Sequence, residues 1–182
     1  MNYSNLIQYD CANGEGWRTT LFVSGCNFHC SGCFNKEAQD FNYGEDFNTL
    51  ALTKLIEYVS DTKINGLSIL GGDPLCQNMN GLLQLIDICH RVHDLGKTVW
   101  LWSGFTWEQI FPIVITDDFN IIREYRQELI KNVDIFIDGP FMEELKDLTL
   151  EWRGSSNQRI IDVKKSLQHG CAVSYNTKLK EV

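Results

Sequence analysis

The 182 residues are read as a single domain over 1–182, long enough to bury a core of their own. Hydrophobic residues at 43% and charged residues at 22% are ordinary for a soluble globular chain, and no run approaches the roughly 18 to 20 apolar residues of a membrane span. Sixteen basic residues against 24 acidic ones give a net charge of −8, and with no basic run or stripe this argues against a general polyanion-binding surface; the local basic group Arg153, Arg159, Lys164 and Lys165 is read as a solvated face.

The first residues, MNYSNLIQYDC, lack the basic and apolar regions of a signal peptide, so the expected location is cytoplasmic, with thiols reduced. The seven cysteines are an odd number, which speaks against a disulfide framework. Only Cys26, Cys30 and Cys33 are clustered. Cys89 sits at helical spacing among apolar residues and is read as a small core hydrophobe.

In chain order, residues 18–25 (RTTLFVSG) predict a strand, and 48–63 a helix with Leu52, Leu55, Ile56 and Val59 on one face and Asn48 or Thr49 as cap. Residues 67–72 (LSILGG) predict a strand entering a glycine turn, and 80–96 a helix with Asn80 as cap and Gly96 as stop. The next strand covers 97–104; Thr106 and Gln109 then form a capping box for a short helix interrupted by Pro112. A helix over 118–132, a strand over 133–139 and a last strand or edge segment over 158–165 follow. The tail from Gln168 carries no readable pattern, and 165–182 is expected to be a loose end.

Strand–helix alternation predicts an α/β fold with right-handed crossovers and a parallel sheet. Five or six strands are too few for a closed eight-stranded barrel, so an open, partial β/α barrel is expected. Several strands end in small or polar residues: Ser24-Gly25, Gly71-Gly72-Asp73, Ser103-Gly104 and Asp138-Gly139. In parallel α/β folds these ends line the ligand site, so the four sets should converge on one pocket.

The segment LFVSGCNFHCSGCFN (21–35) follows the first of those ends directly. Bunched thiolates ligate zinc or iron–sulfur clusters, but a closed structural zinc site takes four ligands and this group supplies three. The candidates for a fourth ligand are poor: His29, on a short tether inside the loop, is an awkward one, and Cys89 and His90 fall on a helix. If the group holds a 4Fe–4S cluster, three thiolates leave one iron open to a small molecule.

The C-x3-C-x2-C spacing with Phe34 after the last cysteine resembles the radical S-adenosylmethionine (SAM) superfamily. GGDPL (71–75), one strand–helix unit later, is similar to that superfamily's Gly-Gly-Glu/Asp-Pro segment. Within the superfamily, four stretches resemble the anaerobic ribonucleoside-triphosphate reductase-activating proteins: NGEGWRTTLFVSGC, CSGCFNKEA, VWLWSGF and LEWRGSSNQRI. The resemblance runs from about Gln8 to Ile160. The chain departs from it at Glu15, where the family usually has proline, in a longer stretch at 112–131, and in the extra C-terminal segment.

The resemblance implies a partial barrel of the radical SAM type and a 4Fe–4S cluster on Cys26, Cys30 and Cys33. It implies SAM contacts from Gly32, Cys33, Phe34 and Asn35 on the adenosine side, and from Gly71, Gly72 and Asp73 on the methionine side. Ser103 and Asp138 are further pocket residues; Arg18 and the Trp152–Gln158 segment are either structural or partner-facing. The implied reaction is reductive cleavage of SAM to methionine and a 5′-deoxyadenosyl radical, which makes a glycyl radical on the large reductase subunit. A one-electron donor such as a flavodoxin would supply the electron. The rival readings are a 7-carboxy-7-deazaguanine synthase-like radical SAM enzyme, and a metal-binding adaptor without catalysis.

Overall fold

Period-two alternation sorts the strand residues onto two faces. Strand β2 (Arg18–Val23) turns Leu21 and Val23 to one side and Arg18 and Thr20 to the other. In the computed structural model, which describes residues 1–112 and 120–176, these faces belong to one seven-stranded sheet. The expected helix start at 118–119 and part of the 112–131 stretch lie outside the described residues.

After β1 (Asn2–Asp10) and β2, a two-residue strand β3 (Glu45–Asp46) precedes helix α1 (Thr49–Ser60). Strand β4 (Gly66–Gly71), helix α2 (Met79–Asp94) and strand β5 (Thr98–Trp102) follow. Helices α3 (Trp107–Ile110) and α4 (Ile121–Lys131) lead to strands β6 (Ile135–Asp138) and β7 (Arg159–Asp162), and helix α5 (Val163–His169) comes last. The sheet order is β3-β1-β2-β4-β5-β6-β7, with β2, β4, β5 and β6 parallel.

The sheet is α/β and open, as expected, but it has seven strands rather than five or six and is mixed rather than wholly parallel. β1 pairs antiparallel with β2 because the short loop between them allows only a hairpin. Its half-buried, mostly polar residues give no apolar alternation to read. The chain after β6 makes a long excursion over 139–158 and returns as β7, antiparallel to β6.

The main core lies between the sheet and the helices. Leu21, Leu67, Ile69, Val99, Leu101 and Phe136 meet Leu55 and Val59 of α1, Leu82, Leu85 and Cys89 of α2, and Leu129 and Ile130 of α4. Truncating the fully buried Phe136 to alanine would cost about 3 to 5 kcal/mol. The opposite face carries Trp100, Ile135 and Ile137, covered by Trp102, Trp152, Ile160 and Tyr175. With both faces covered, the central strands read as near-continuous apolar runs.

Helix signals held for α1 to α3 with one shift, but the strand or edge segment expected over 158–165 ends at Asp162, whose side chain caps the unforeseen α5 by accepting from the Lys165 N–H. Asn48 caps α1, accepting from the Leu50 and Ala51 N–H groups at 2.9 and 3.2 Å. The cap of α2 is Asn78 rather than Asn80, since its Oδ1 accepts from Gly81 N–H at 3.0 Å. Gly96, at φ +69, turns the chain out of that helix. The Thr106 N–H donates to Gln109 Oε1 at 2.9 Å, and α3 ends two residues before Pro112.

Beyond α5, the Tyr175 N–H donates to Ile160 O at 2.8 Å, and the Asp162 N–H to Val173 O at 2.9 Å. Residues 173–175 therefore lie along β7, and the Tyr175 ring packs against Trp100 at 5.7 Å. Arg18 is buried whole. It donates to Ser68 Oγ, Thr98 Oγ1 and the carbonyls of Leu67 and Thr98, with its guanidinium 5.3 Å from the Trp100 ring centre. That is a structural role. No described helix is long and apolar enough to cross a membrane.

Candidate functional site

The carboxyl ends of the parallel strands are tied to one another by backbone hydrogen bonds. The Gly72 N–H donates to Val23 O at 2.7 Å, and the Asp73 N–H to Gly25 O at 2.8 Å. The loop after β2 is fixed at its start by the N–H groups of Gly25 and Cys26, which donate to Ala38 O and Gln39 O at 2.7 and 3.0 Å. A Cβ at Gly72 would sit 2.6 Å from the carbonyl oxygens of Ala38 and Gly25, so only glycine lets the two loops meet this closely.

These ends open on a cavity of about 540 Å³. Cys26, Cys30 and Cys33 all line it, together with Gly71, Gly72 and Asp73 from the end of β4. Ser103 and Gly104 from the end of β5 line it as well. Gly32 and Phe34 belong to the same wall, Phe34 being 84% exposed at the mouth. Asn35 is not among the lining residues, and neither is Asp138. Asp138 instead accepts from Arg159, at 2.9 Å from its Nε, and from the Trp107 N–H at 2.8 Å.

Asp73 is the most enclosed polar group of the site, 2% exposed. Burial pushes its carboxyl up to about 6, against the pull of the Gly104 N–H, the Ser103 hydroxyl and the Leu75 N–H that donate to it. The Ser103 Oγ lies 2.9 Å from both carboxylate oxygens, and the Gly104 and Leu75 N–H groups each donate at 2.8 Å.

All three clustered cysteines are free thiols. Burial raises Cys30, and its neighbours Cys26 and Cys33 add to this by charge, against the Phe141 backbone. Cys26 is held down to about 7, chiefly because the Cys76 thiol donates to it; Cys76 is pushed up by the same contact. Three soft sulfur donors at the wall of an open cavity, with no disulfide engaging them, suit an iron–sulfur cluster with one free position.

The far wall comes from the excursion between β6 and β7. Trp152, Arg153, Gly154 and Gln158 of the WRGSSNQ stretch all line the cavity. Gln158 organises that loop: its Oε1 accepts from the Gly154 and Ser155 N–H groups at 2.9 and 3.2 Å, and its Nε2 donates to Gly139 O at 3.0 Å. The Trp102 indole donates to Trp152 O at 2.7 Å, joining this wall to β5. Arg153 Nε is buried and has no partner among the described residues, which leaves one donor available beside the cavity. Ser31 Oγ donates to Glu143 Oε2 at 2.8 Å, so the excursion also braces the cysteine loop.

Of the basic residues Arg153, Arg159, Lys164 and Lys165, three are engaged by described partners. Arg159 is engaged by Asp138 and Glu108, Lys165 by Asp162, and Arg153 donates to Gln158 O at 2.8 Å. Sequence reading missed Cys76 and Arg126. Cys76 lies three residues after Asp73 on the same short turn, a spacing that could have flagged it. Arg126 could not have been found, because only the packing of α4 brings it to Leu75 O, at 2.7 Å.

Residues 12–161 match the family model described as a 4Fe-4S single cluster domain. The anaerobic ribonucleoside-triphosphate reductase-activating protein of Escherichia coli (strain K12) is 37% identical over 161 residues, covering 87% of this chain and 96% of the relative. The protein of that name from Vibrio cholerae is 37% identical over 163 residues, at 88% and 97% coverage. The one from Enterobacteria phage T4 is 34% identical over 161 residues, at 88% and 93% coverage. With the cysteine loop, GGDPL and WRGSSNQ on one cavity and relatives matched nearly end to end, this chain belongs to the family of anaerobic ribonucleoside-triphosphate reductase-activating proteins.

Proposed function

We propose that this protein is a radical SAM activase that generates the glycyl radical of an anaerobic ribonucleoside-triphosphate reductase. The observation that carries the reading is the convergence of Cys26, Cys30 and Cys33 with Gly71-Gly72-Asp73 on one cavity of about 540 Å³. The relatives' names supply the partner.

In this reading Cys26, Cys30 and Cys33 hold a 4Fe–4S cluster. Cluster and SAM together supply one-electron cleavage and a carbon-centred radical when bound, and the protein supplies position and dryness. Asp73, ionised above about pH 6, receives the SAM ammonium, and Ser103 and Gly104 hold the carboxylate in place for it. Gly71 and Gly72 keep the backbone close enough to take part. Gly32, Cys33 and Phe34 take the adenosine side, and Asn35 follows them in the chain outside the cavity lining. Trp102 and Trp152 wall off water on the opposite side. The electron comes from a one-electron donor such as a flavodoxin, and the acidic chain acts on a protein rather than a nucleic acid.

The test is anaerobic reconstitution. The protein should take up about four iron and four sulfide per chain and, with dithionite and SAM, release 5′-deoxyadenosine. Cys30→Ala should lose both. Release of 5′-deoxyadenosine undiminished by that change would refute the ligand assignment.

A further inference from the structure

Cys76 is a buried thiol to which the cluster assigns no role. It ends the short 3-10 turn Pro74–Cys76, whose cap is Asp73, and this turn brings its sulfur back to Cys26. The Sγ atoms of Cys26 and Cys76 and a carboxylate oxygen of Asp73 all lie within 4.8 Å of one another. Two thiolates on one tetrahedral zinc ion, with Zn–S bonds of about 2.3 Å, stand about 3.8 Å apart. The trio is thus spaced for a single ion, whereas the thiolates of a cubane cluster bind separate irons and stand wider apart. Cys30 and Cys33 are not part of this group.

We propose that Cys26, Cys76 and Asp73 form a second metal site, which takes one tetrahedral thiophilic divalent cation such as Zn²⁺ when the cluster is absent. Water completes the coordination, and uptake releases whatever thiol protons Cys26 and Cys76 still hold. The groups behind the ligands are those a built site needs. The Phe28 N–H donates to Cys26 Sγ at 3.4 Å, and the Asn27 backbone bonds to Cys76. Ser103, Gly104 and Leu75 orient Asp73. Two thiolates and a carboxylate around a dication leave one net negative charge. The half-buried Arg126 guanidinium, which feels the charges of Cys76 and Asp73, offsets it.

Cys26 cannot serve both sites, so the ion and the cluster exclude each other, and Asp73 is withdrawn from SAM while the ion is bound. This competition rests on the reading of Cys26 as a cluster ligand; the ion site itself does not.

The experiment uses full-length protein freed of cluster under anaerobic conditions and titrated with Co²⁺, then Zn²⁺. The expected result is one equivalent of Co²⁺ with the thiolate charge-transfer and tetrahedral d–d bands, displaced by Zn²⁺. The Cys30→Ala/Cys33→Ala double variant should keep those bands. Cys76→Ala should lose affinity by more than the ~10- to 100-fold typical of removing a group behind a ligand, and Cys76→Ser should fall between. Circular dichroism checks that each variant is folded. Wild-type bands and affinity in Cys76→Ala, or their loss in the double variant, would overturn the site, because the ion would then sit on the cysteine loop. Zinc-loaded wild-type protein should also assemble cluster at least about tenfold more slowly than zinc-treated Cys76→Ala; equal rates would overturn the competition. Failure of reconstituted protein to cleave SAM would sink the activase reading while leaving the cobalt titration intact.

Discussion

Ser103 Oγ stands 2.9 Å from both carboxylate oxygens of Asp73, linking the end of β5 to the end of β4 at the floor of the cavity. The hydroxyl is the side-chain donor that keeps a buried carboxylate facing one way, and the Gly104 N–H reinforces it. Ser103→Ala removes it without changing volume much. A hydrogen bond to a charged group contributes about 1.5 to 3 kcal/mol, so SAM affinity should fall roughly ten- to hundredfold. Equilibrium binding to reconstituted protein measures this, with iron content unchanged. Unaltered affinity would show that Asp73 is not held for SAM.

Arg159 bridges buried Asp138, 1% exposed on its side chain, and exposed Glu108. Arg159→Ala leaves Asp138 charged and buried with only the Trp107 N–H beside it, which should cost about 3 kcal/mol in urea unfolding. Adding Asp138→Asn should recover part of that loss. Full additivity of the two changes would mean that they do not interact.

Asp10 sets an acid limit on stability. Burial raises its pKa, but donation from Asn13, Thr20 and Ala12 outweighs this and holds the carboxyl below its ordinary value of 3.8. A carboxylate depressed on folding contributes stability that is complete above 3.8 and lost as pH falls through the folded value. Melting temperature should therefore fall below about pH 4, and Asp10→Asn should flatten that fall while lowering stability at neutral pH. Parallel acid profiles for the two proteins would contradict it.

Glu15, where the family resemblance leads one to expect proline, meets the C-terminal segment. The Tyr175 hydroxyl donates to Glu15 Oε2 at 2.7 Å, and burial and then that carboxylate push the phenol up to about 12. Tyr175→Phe and Glu15→Gln should each cost about 1 kcal/mol, and the double variant no more than either alone. Additive losses would separate the two features.

The parallel strands were legible because residues buried on both faces leave long apolar runs, and the helices because Asn48 and Gly96 punctuate them. The cysteine loop stood out as candidate chemistry because few structural needs bunch three thiols, and GGDPL, a common turn by itself, stood out by coming one strand–helix unit after it. β1 was not legible, since its residues are half-buried and polar, and its register comes from β2 rather than from its own pattern. Nor was the proximity of Cys76 to Cys26, which arises from two loops meeting across Gly72. WRGSSNQ stood out as a string, but its place as the far wall depends on Gln158 folding the excursion upon itself.

The central claim is tested most directly by electron paramagnetic resonance after anaerobic mixing of reconstituted protein, SAM and dithionite with the large subunit of an anaerobic ribonucleoside-triphosphate reductase. A glycyl-radical signal should appear on the reductase, require SAM, and be lost with Cys26→Ala, Cys30→Ala or Cys33→Ala. No glycyl radical, with 5′-deoxyadenosine still released, would refute the activase role and assign the cavity to a different substrate.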